Sequence, residues 1–354
     1  MNQYKIIPRD LSYGKEAKHN IKNNIGLPLA SNNISFQRFE IQSKNNSKIN
    51  FKTFSISELD NWNHRHLPKT LIENILKKIS MKPKTFMNMK NKSFYILGVL
   101  NLTPNSFSNN NNKIPSHLES IKKAIKMCED GADIIDIGGE SSKPGALSIN
   151  ESEEQRRIIP VIKELSKMNI TISCDTKNAN TMKKAIDAGA KIINDVSALK
   201  DKKAAKIISK NKVGIILMHM QGKPLNMQTK PTYKNVSLEI LDFLDEKKRY
   251  AINNGVKENY ILIDPGIGFG KNDMHNIKIF KDLSLLHSLN SDILIGASRK
   301  SMIGRLTESA IENRLPGSIS LTISSMTKGV KFFRVHDVKE TFQALSIWDK
   351  IINK

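Results

Sequence analysis

The stretch YILIDPGIGFGK (260–271) is a short apolar run that ends in an acid, a turn and a lysine. Seven more runs of the same make surround it in the last three-quarters of the chain. They are FYILGVLNLTPNSFS (94–108), DIIDIGGESSKPG (133–145), ITISCDTK (170–177), KIINDVS (191–197), VGIILMHMQG (213–222), DILIGASRKS (292–301) and KFFRVHDV (331–338). Strands buried on both faces read as continuous apolar runs, without alternation. Between them lie segments with apolar residues at i, i+3 and i+4, such as HLESIKKAIKMCED and VKETFQALSIWDKIIN, which predict helices. Eight strands, each followed by a helix, over roughly 260 residues predict an α/β fold, a (β/α)8 TIM barrel, spanning 93–354. A turn that only reverses the chain needs Gly, Asn, Asp or Pro. These tails also carry His219, Lys300, Arg334, His336 and several acids at strand C-termini, where parallel α/β folds keep their active sites. The chain reads as an enzyme.

Residues 1–92 have a different texture. They are rich in Asn, Ser and Lys, with two alternating segments, ISFQRFEIQ (34–42) and INFKTFSI (49–56). A helical stretch follows Ser57 and is broken or restarted at Pro68. This N-terminal extension reads as a small ββα layer or a partly disordered segment without chemistry of its own, and 81–92 as a linker.

The net charge of +22 first suggests nucleic acid, but residues 1–92 hold 17 Lys and Arg against 6 Asp and Glu, half of the excess, so it is spread along the chain. Aromatics are 6%, and no Arg-aromatic face is evident, which argues against a nucleic-acid partner. Attraction of an anionic substrate is compatible with the charge. Cys128 and Cys174 are too few for a disulfide framework or a zinc site, which points to a reducing, cytoplasmic setting. No stretch approaches a membrane span, and the N-terminus, with Lys5 and Arg9 but no apolar core, is no signal peptide. GIGFGK lacks the spacing of a dinucleotide fingerprint or a phosphate loop, and the eight His residues show no HExxH pairing.

Arg334 and His336 lie two apart after the last strand, so both side chains are expected on one side. With Asn101 after the first barrel strand they form a cationic corner suited to phosphate. The Asn101 oxygen is a candidate ligand for a Mg²⁺ that keeps most of its waters. Asp175, Asn194 and Asp264 offer inward donors and acceptors for a flat heterocycle with ring N–H groups, and Lys300 a cation for a ring carbonyl. Taken singly, Asp264-Pro265-Gly266 also reads as a turn, Asp175-Thr176 as a helix cap and His219 as a satisfied core histidine.

Together, GVLNLTPNSFS (98–108), DIGGESSKPG (136–145), SCDTK (173–177), INDVSA (193–198), MHMQG (218–222), DPGIGFGK (264–271), SRKSMIG (298–304) and RVHDV (334–338) resemble the dihydropteroate synthase family in order and spacing. The resemblance implies a pterin-binding barrel transferase of folate biosynthesis. Such an enzyme joins 6-hydroxymethyl-7,8-dihydropterin diphosphate to p-aminobenzoate, giving 7,8-dihydropteroate and pyrophosphate. By resemblance, Asp175, Asn194, Asp264 and Lys300 hold the pterin, with Met218 and Phe269 packed around it. Asn101, Arg334 and His336 hold diphosphate and Mg²⁺, and Ser142 also touches the diphosphate. The catalytic group is Asp175, Lys300, Arg334 and His336, and a homodimer is implied. The family usually has Thr-Arg at Ser142-Lys143 and Asp at Asn105 and Asn109, so the loops carrying Lys143 and Asn109 depart from it around p-aminobenzoate. A pterin-binding methyltransferase that serves a corrinoid protein would share the acids but lack Lys300 and the Arg334–His336 corner.

Overall fold

The computed structural model describes residues 4–31, 33–45, 48–65, 67–104, 114–141, 143 and 145–353. The chain opens with β1 (Tyr4–Tyr13), α1 (Gly14–Lys22), β2 (Leu27–Pro28), β3 (Ile34–Asn45), β4 (Lys48–Ser55) and α2 (Lys69–Ser80). β3 is central: β1, β2 and β4 all pair with it antiparallel, Ile6 opposite Ile41 and Phe39 opposite Phe54. Phe39, Phe54 and Trp62 stack within this sheet's core, and α2 lays Ile72, Ile75, Leu76 and Ile79 on it. The alternating segments are thus β3 and β4, while β1 and α1 were not anticipated.

The barrel strands are β5 (Tyr95–Asn101), β6 (Ile134–Gly138), β7 (Ile172–Asp175), β8 (Ile192–Asp195), β9 (Gly214–Met218), β10 (Ile261–Asp264), β11 (Leu294–Ile295) and β12 (Phe332–Val335). Each of the eight apolar runs contains one of them. All pairings are parallel, in the order β10-β9-β8-β7-β6-β5-β12-β11, and a bridge from Ile263 to Ile293 closes the ring. Between them come α3 (His117–Glu129), α4 (Glu151–Lys167), α5 (Ala179–Asp187), α6 (Ala204–Asn211), α7 (Val236–Asn253), α8 (Asp273–Lys281), α9 (Ser301–Thr307), α10 (Leu315–Met326) and α11 (Val338–Asn353). Short polar residues start several of them: Ser116 closes a capping box with Glu119, and Asn150 accepts the Glu153 amide at 2.8 Å. No helix among the described residues is long and apolar enough to cross a membrane.

The barrel floor explains where the site must be. Tyr95, Leu97, Ile134, Ile192, Ile216, Leu262, Leu294 and Phe332 fill the interior as one apolar cluster, Tyr95 stacked on Phe332 at 4.4 Å. Side chains in a strand return to the same face every second residue. Two residues beyond Ile134, Ile192, Ile216, Leu262 and Phe332 stand Asp136, Asn194, Met218, Asp264 and Arg334. The same alternation that builds the floor therefore turns polar one layer higher.

The expected linker 81–92 does more than connect. Phe86 is 1% exposed and joins the floor from below, its ring edge-on to Phe332 at 5.7 Å. Gly214 leaves room for it, since a Cβ there would lie 2.5 Å from the Phe86 ring. Truncating such a buried aromatic costs about 3–5 kcal/mol. The N-terminal sheet docks on the barrel as well. Ile7 joins the barrel's main core, Lys5 pairs with Asp242 at 2.6 Å, and Arg9 bridges Glu40 and Asp282.

Candidate active site

Arg334, from β12, reaches across the barrel mouth. Its Nε donates to Asp136 Oδ2 at 2.6 Å and its Nη2 to Asp175 Oδ2 at 2.8 Å. Asp136 is fully buried, whereas the Arg334 side chain keeps 19% of its surface exposed, so the guanidinium is anchored below and open above. Asn194 also donates to Asp136 Oδ2, at 3.1 Å. That bond settles the amide's direction: Nδ2 faces the carboxylate, leaving Oδ1 free to accept. Asp136 has the second oxygen, Oδ1, buried with no hydrogen-bond partner. No role had been assigned to Asp136 from sequence, although an acid inside the apolar run IIDIG was the available signal.

Asp264 lies opposite, at the end of β10, and accepts the Gly266 amide at 2.7 Å. Burial pushes its carboxyl up to about 6, against the pull of that amide, Lys300, Lys271 and Arg334. Burial also raises the Asp175 pKa, with Arg334 opposing; the 2.8 Å contact keeps the pair charged. Lys300 is lowered to about 8 by burial and then by Arg334, with Asp264 and Asp175 acting the other way. Its ammonium sits 4.0 Å from the centroid of Phe269. Met218, Val196, Met227 and Phe269 form a separate apolar cluster beside these charges. Carboxyls raised and a lysine lowered within one cluster mark it as a candidate functional site.

The structure brings Asp175, Asn194, Asp264, Lys300 and Arg334 to the C-terminal mouth of the barrel, beside Met218 and Phe269. Arg334, which the sequence reading puts with His336 in a cationic corner for phosphate, holds the acids Asp136 and Asp175 through two of its nitrogens. His336 lines the mouth with Nδ1 3.0 Å from Ser298 Oγ, and desolvation followed by the charge of Arg334 lowers its pKa. The cation beside it is Arg299, held bidentate by Asp337 at 2.9 and 2.5 Å. Asn101 ends β5 opposite Gly138. Ser142, Asn105 and Asn109 lie outside the described residues. Lys143 is exposed, on a loop tied to the one after β9 by the Gly145 amide donating to Pro224 O at 3.0 Å.

His219 resolves as a structural residue: it is buried, its pKa depressed to about 2 first by burial and then by Lys271, whose Nζ lies 2.9 Å from Nδ1. Asp195 likewise serves its own turn, accepting from the Ser197 and Leu199 amides at 2.8 and 2.7 Å.

Comparison with known proteins points the same way. The family model described as pterin binding enzyme matches residues 97–336. A dihydropteroate synthase of Haemophilus influenzae is 37% identical over 263 residues, covering 73% of this chain and 94% of its own. One from Neisseria meningitidis serogroup C is 40% identical over 260 residues, covering 72% and 92%. Among solved structures, the Yersinia pestis dihydropteroate synthase in a sulfonamide complex superposes with a TM-score of 0.72 at 36% identity, covering 75% of this chain and 98% of that one. The Xanthomonas albilineans enzyme in complex with 7,8-dihydropteroate gives 0.66 at 35% identity, covering 73% and 93%.

Proposed function

This chain belongs to the pterin-binding enzyme family and within it to the dihydropteroate synthases, and we propose that its barrel condenses 6-hydroxymethyl-7,8-dihydropterin diphosphate with p-aminobenzoate. The observation that carries this reading is the convergence of Asp175, Asn194 and Asp264, from the ends of three strands, and Lys300, from the turn after a fourth, beside the apolar wall of Met218 and Phe269. Asp264 accepts from the pterin's amino group and ring N–H. Asn194 Oδ1, fixed by Asp136, accepts another N–H, and Lys300 donates to the ring carbonyl. Arg334, held flat by two carboxylates, offers its remaining N–H edge and its face.

In the reaction the pterin methylene C–O bond breaks and the electron pair leaves with pyrophosphate. The aniline nitrogen then bonds to the methylene and releases a proton. Positive charge develops on the pterin side, where Asp175 and Asp136 stand pre-placed; this is electrostatic catalysis without a covalent nucleophile. His336 meets the diphosphate as a hydrogen-bond donor, and the family resemblance adds the Ser142 hydroxyl. Lys143 and Asn109 belong to the loops that border p-aminobenzoate.

The residues fit a Mg²⁺ held through Asn101. A Cβ on Gly138 would lie 3.7 Å from Asn101 Oδ1 and 3.6 Å from Asp175 Oδ2, so both oxygens border one gap that glycine leaves open. When bound, Mg²⁺ supplies charge neutralisation to the leaving pyrophosphate. The reading extends to a homodimer in the cytoplasm, supported by the family and by the free Cys128 and Cys174. A coupled pyrophosphate-release assay, run with and without p-aminobenzoate, tests it: release that ignores p-aminobenzoate would refute the condensation.

A further inference from the structure

Lys271, at the end of the glycine-rich run, is fully buried. Its Nζ lies 2.9 Å from Gly266 O, 2.9 Å from Phe269 O, 2.9 Å from His219 Nδ1 and 3.3 Å from His219 O. Four acceptors therefore surround three N–H bonds, and none of them is a carboxylate. Three are backbone carbonyls, drawn from the tails of two neighbouring strands, β9 and β10. The backbone is wound to make this possible. Gly266, Gly268 and Gly270 all have positive φ (68°, 80° and 62°), and a Cβ on Gly266 or Gly270 would lie 2.0 or 2.3 Å from a carbonyl oxygen of the β9 tail.

A carbonyl cage of this kind is a cation site. We propose that Lys271 is a tethered monovalent cation that fills it and thereby positions the pterin wall, and that removing its side chain leaves a binding site for a small N–H cation, ammonium. The wall hangs directly from the cage. Gly266 O binds the ammonium while the Gly266 N–H binds Asp264 Oδ1 at 2.7 Å. Phe269 O binds it while the Phe269 ring lies 4.0 Å from the Lys300 ammonium. A Cβ on Gly268 would lie 3.3 Å from the Lys300 stem, so the loop and Lys300 are packed against each other. Without a central cation, the inward carbonyls repel one another and lose their partner, and the loop relaxes away from Asp264 and Lys300. Lys271 touches no substrate in this account; it is a positioning residue, and its link to substrate rests on the pterin-pocket reading above.

The test is Lys271→Ala, assayed in ammonium chloride and, at equal ionic strength, in sodium or tetramethylammonium chloride. In sodium the KM for the pterin diphosphate should rise about tenfold with kcat falling less than threefold, a split that mere loss of folded enzyme does not produce. Ammonium at about 100 mM should recover at least threefold of that KM and raise the thermal midpoint, as expected for a ligand that binds only the folded state. Lys271→Met, whose thioether fills the cage, should show the same defect without recovery. An unchanged KM in Lys271→Ala, or a KM and a thermal midpoint that ammonium both leaves untouched, would overturn the proposal. A restored midpoint without restored affinity would leave the cage intact and refute the pocket reading instead. If the Ala variant does not fold in either salt, the wild-type protein labelled with ¹⁵N-lysine still decides. At pH 6 a slowly exchanging ammonium signal absent from Lys271→Met is expected, and its absence from the wild type would sink the cage.

Discussion

Replacing Asp136 by Asn removes one charge and almost no volume from the floor of the active site, and the structure allows its effect to be worked out. Asp136 Oδ2 accepts from Arg334 Nε at 2.6 Å and Asn194 Nδ2 at 3.1 Å, while Oδ1 is buried without a partner. The carboxamide has two placements. With its oxygen towards Arg334 and Asn194, its NH₂ occupies the Oδ1 position, which makes no hydrogen bond in the wild type. With the NH₂ towards them, donors face donors. The first is less bad: it leaves a buried unsatisfied donor, about 1–3 kcal/mol, and reduces a charge-assisted bond worth about 1.5–3 kcal/mol to an ordinary one. Arg334 keeps Asp175 at 2.8 Å, so the full cost of stranding a buried charge is not incurred. The expected loss is about 2–4 kcal/mol, within the ~5–15 kcal/mol of a native domain, so the variant folds. Urea denaturation measures the stability, and calorimetry with the pterin diphosphate should show affinity reduced by about tenfold, because a neutral carboxamide fixes Arg334 less firmly beside the pterin site. A loss below about 1 kcal/mol with unchanged pterin affinity would refute the anchoring role.

Asp264→Asn should reduce pterin affinity by at least tenfold with the fold retained, since the acid faces the ring N–H groups; unchanged affinity in calorimetry would remove Asp264 from the pterin site. His336→Ala should weaken diphosphate binding more than binding of the unphosphorylated hydroxymethylpterin. Arg334→Ala should weaken both, because it leaves Asp136 and Asp175 buried without their shared cation; the reverse pattern would return Arg334 to the phosphate corner. The His287 ring, buried with Nε2 2.8 Å from Lys328 O, is lowered from 6.5 to about 4, chiefly by burial. Its stabilising contribution is therefore complete above about pH 6.5 and lost as the pH falls towards 4. Between pH 7 and 5 the wild type should lose about 1.5–2 kcal/mol that His287→Gln does not, measured by urea denaturation at each pH.

The barrel was legible because its strands are buried on both faces and therefore read as unbroken apolar runs between amphipathic helices. β1 was not, for a related reason. Ile6 and Ile7 are both buried, one against α2's layer and one against the barrel, so a strand sandwiched between two cores lost its alternation. Pro8 and Arg9 then disguised it further. In the site, residue identity pointed to the acids at the strand ends, but not to the direction of a long side chain: Arg334 reaches Asp136, a partner 198 residues distant. Lys271 had been grouped with a lookalike phosphate loop, and only the wound backbone shows that its ammonium points inward. Phe86 was hidden because a single aromatic in a polar stretch carries no period.

The docking of β1 has a consequence in time. Pro8 O accepts from Ser284 at 3.1 Å, Arg9 reaches Asp282, and Asn33 donates to Asn353 at 2.9 Å. β1 thus has its barrel partners some 270 residues downstream, 272 for Arg9 with Lys281 and 276 for Pro8 with Ser284. At roughly 5–20 residues per second, about 15–60 seconds pass before they emerge. Through that interval the nascent sheet carries Ile7 and its neighbours with nothing to cover them, a surface that a holding chaperone would shield and a crowded polysome would punish.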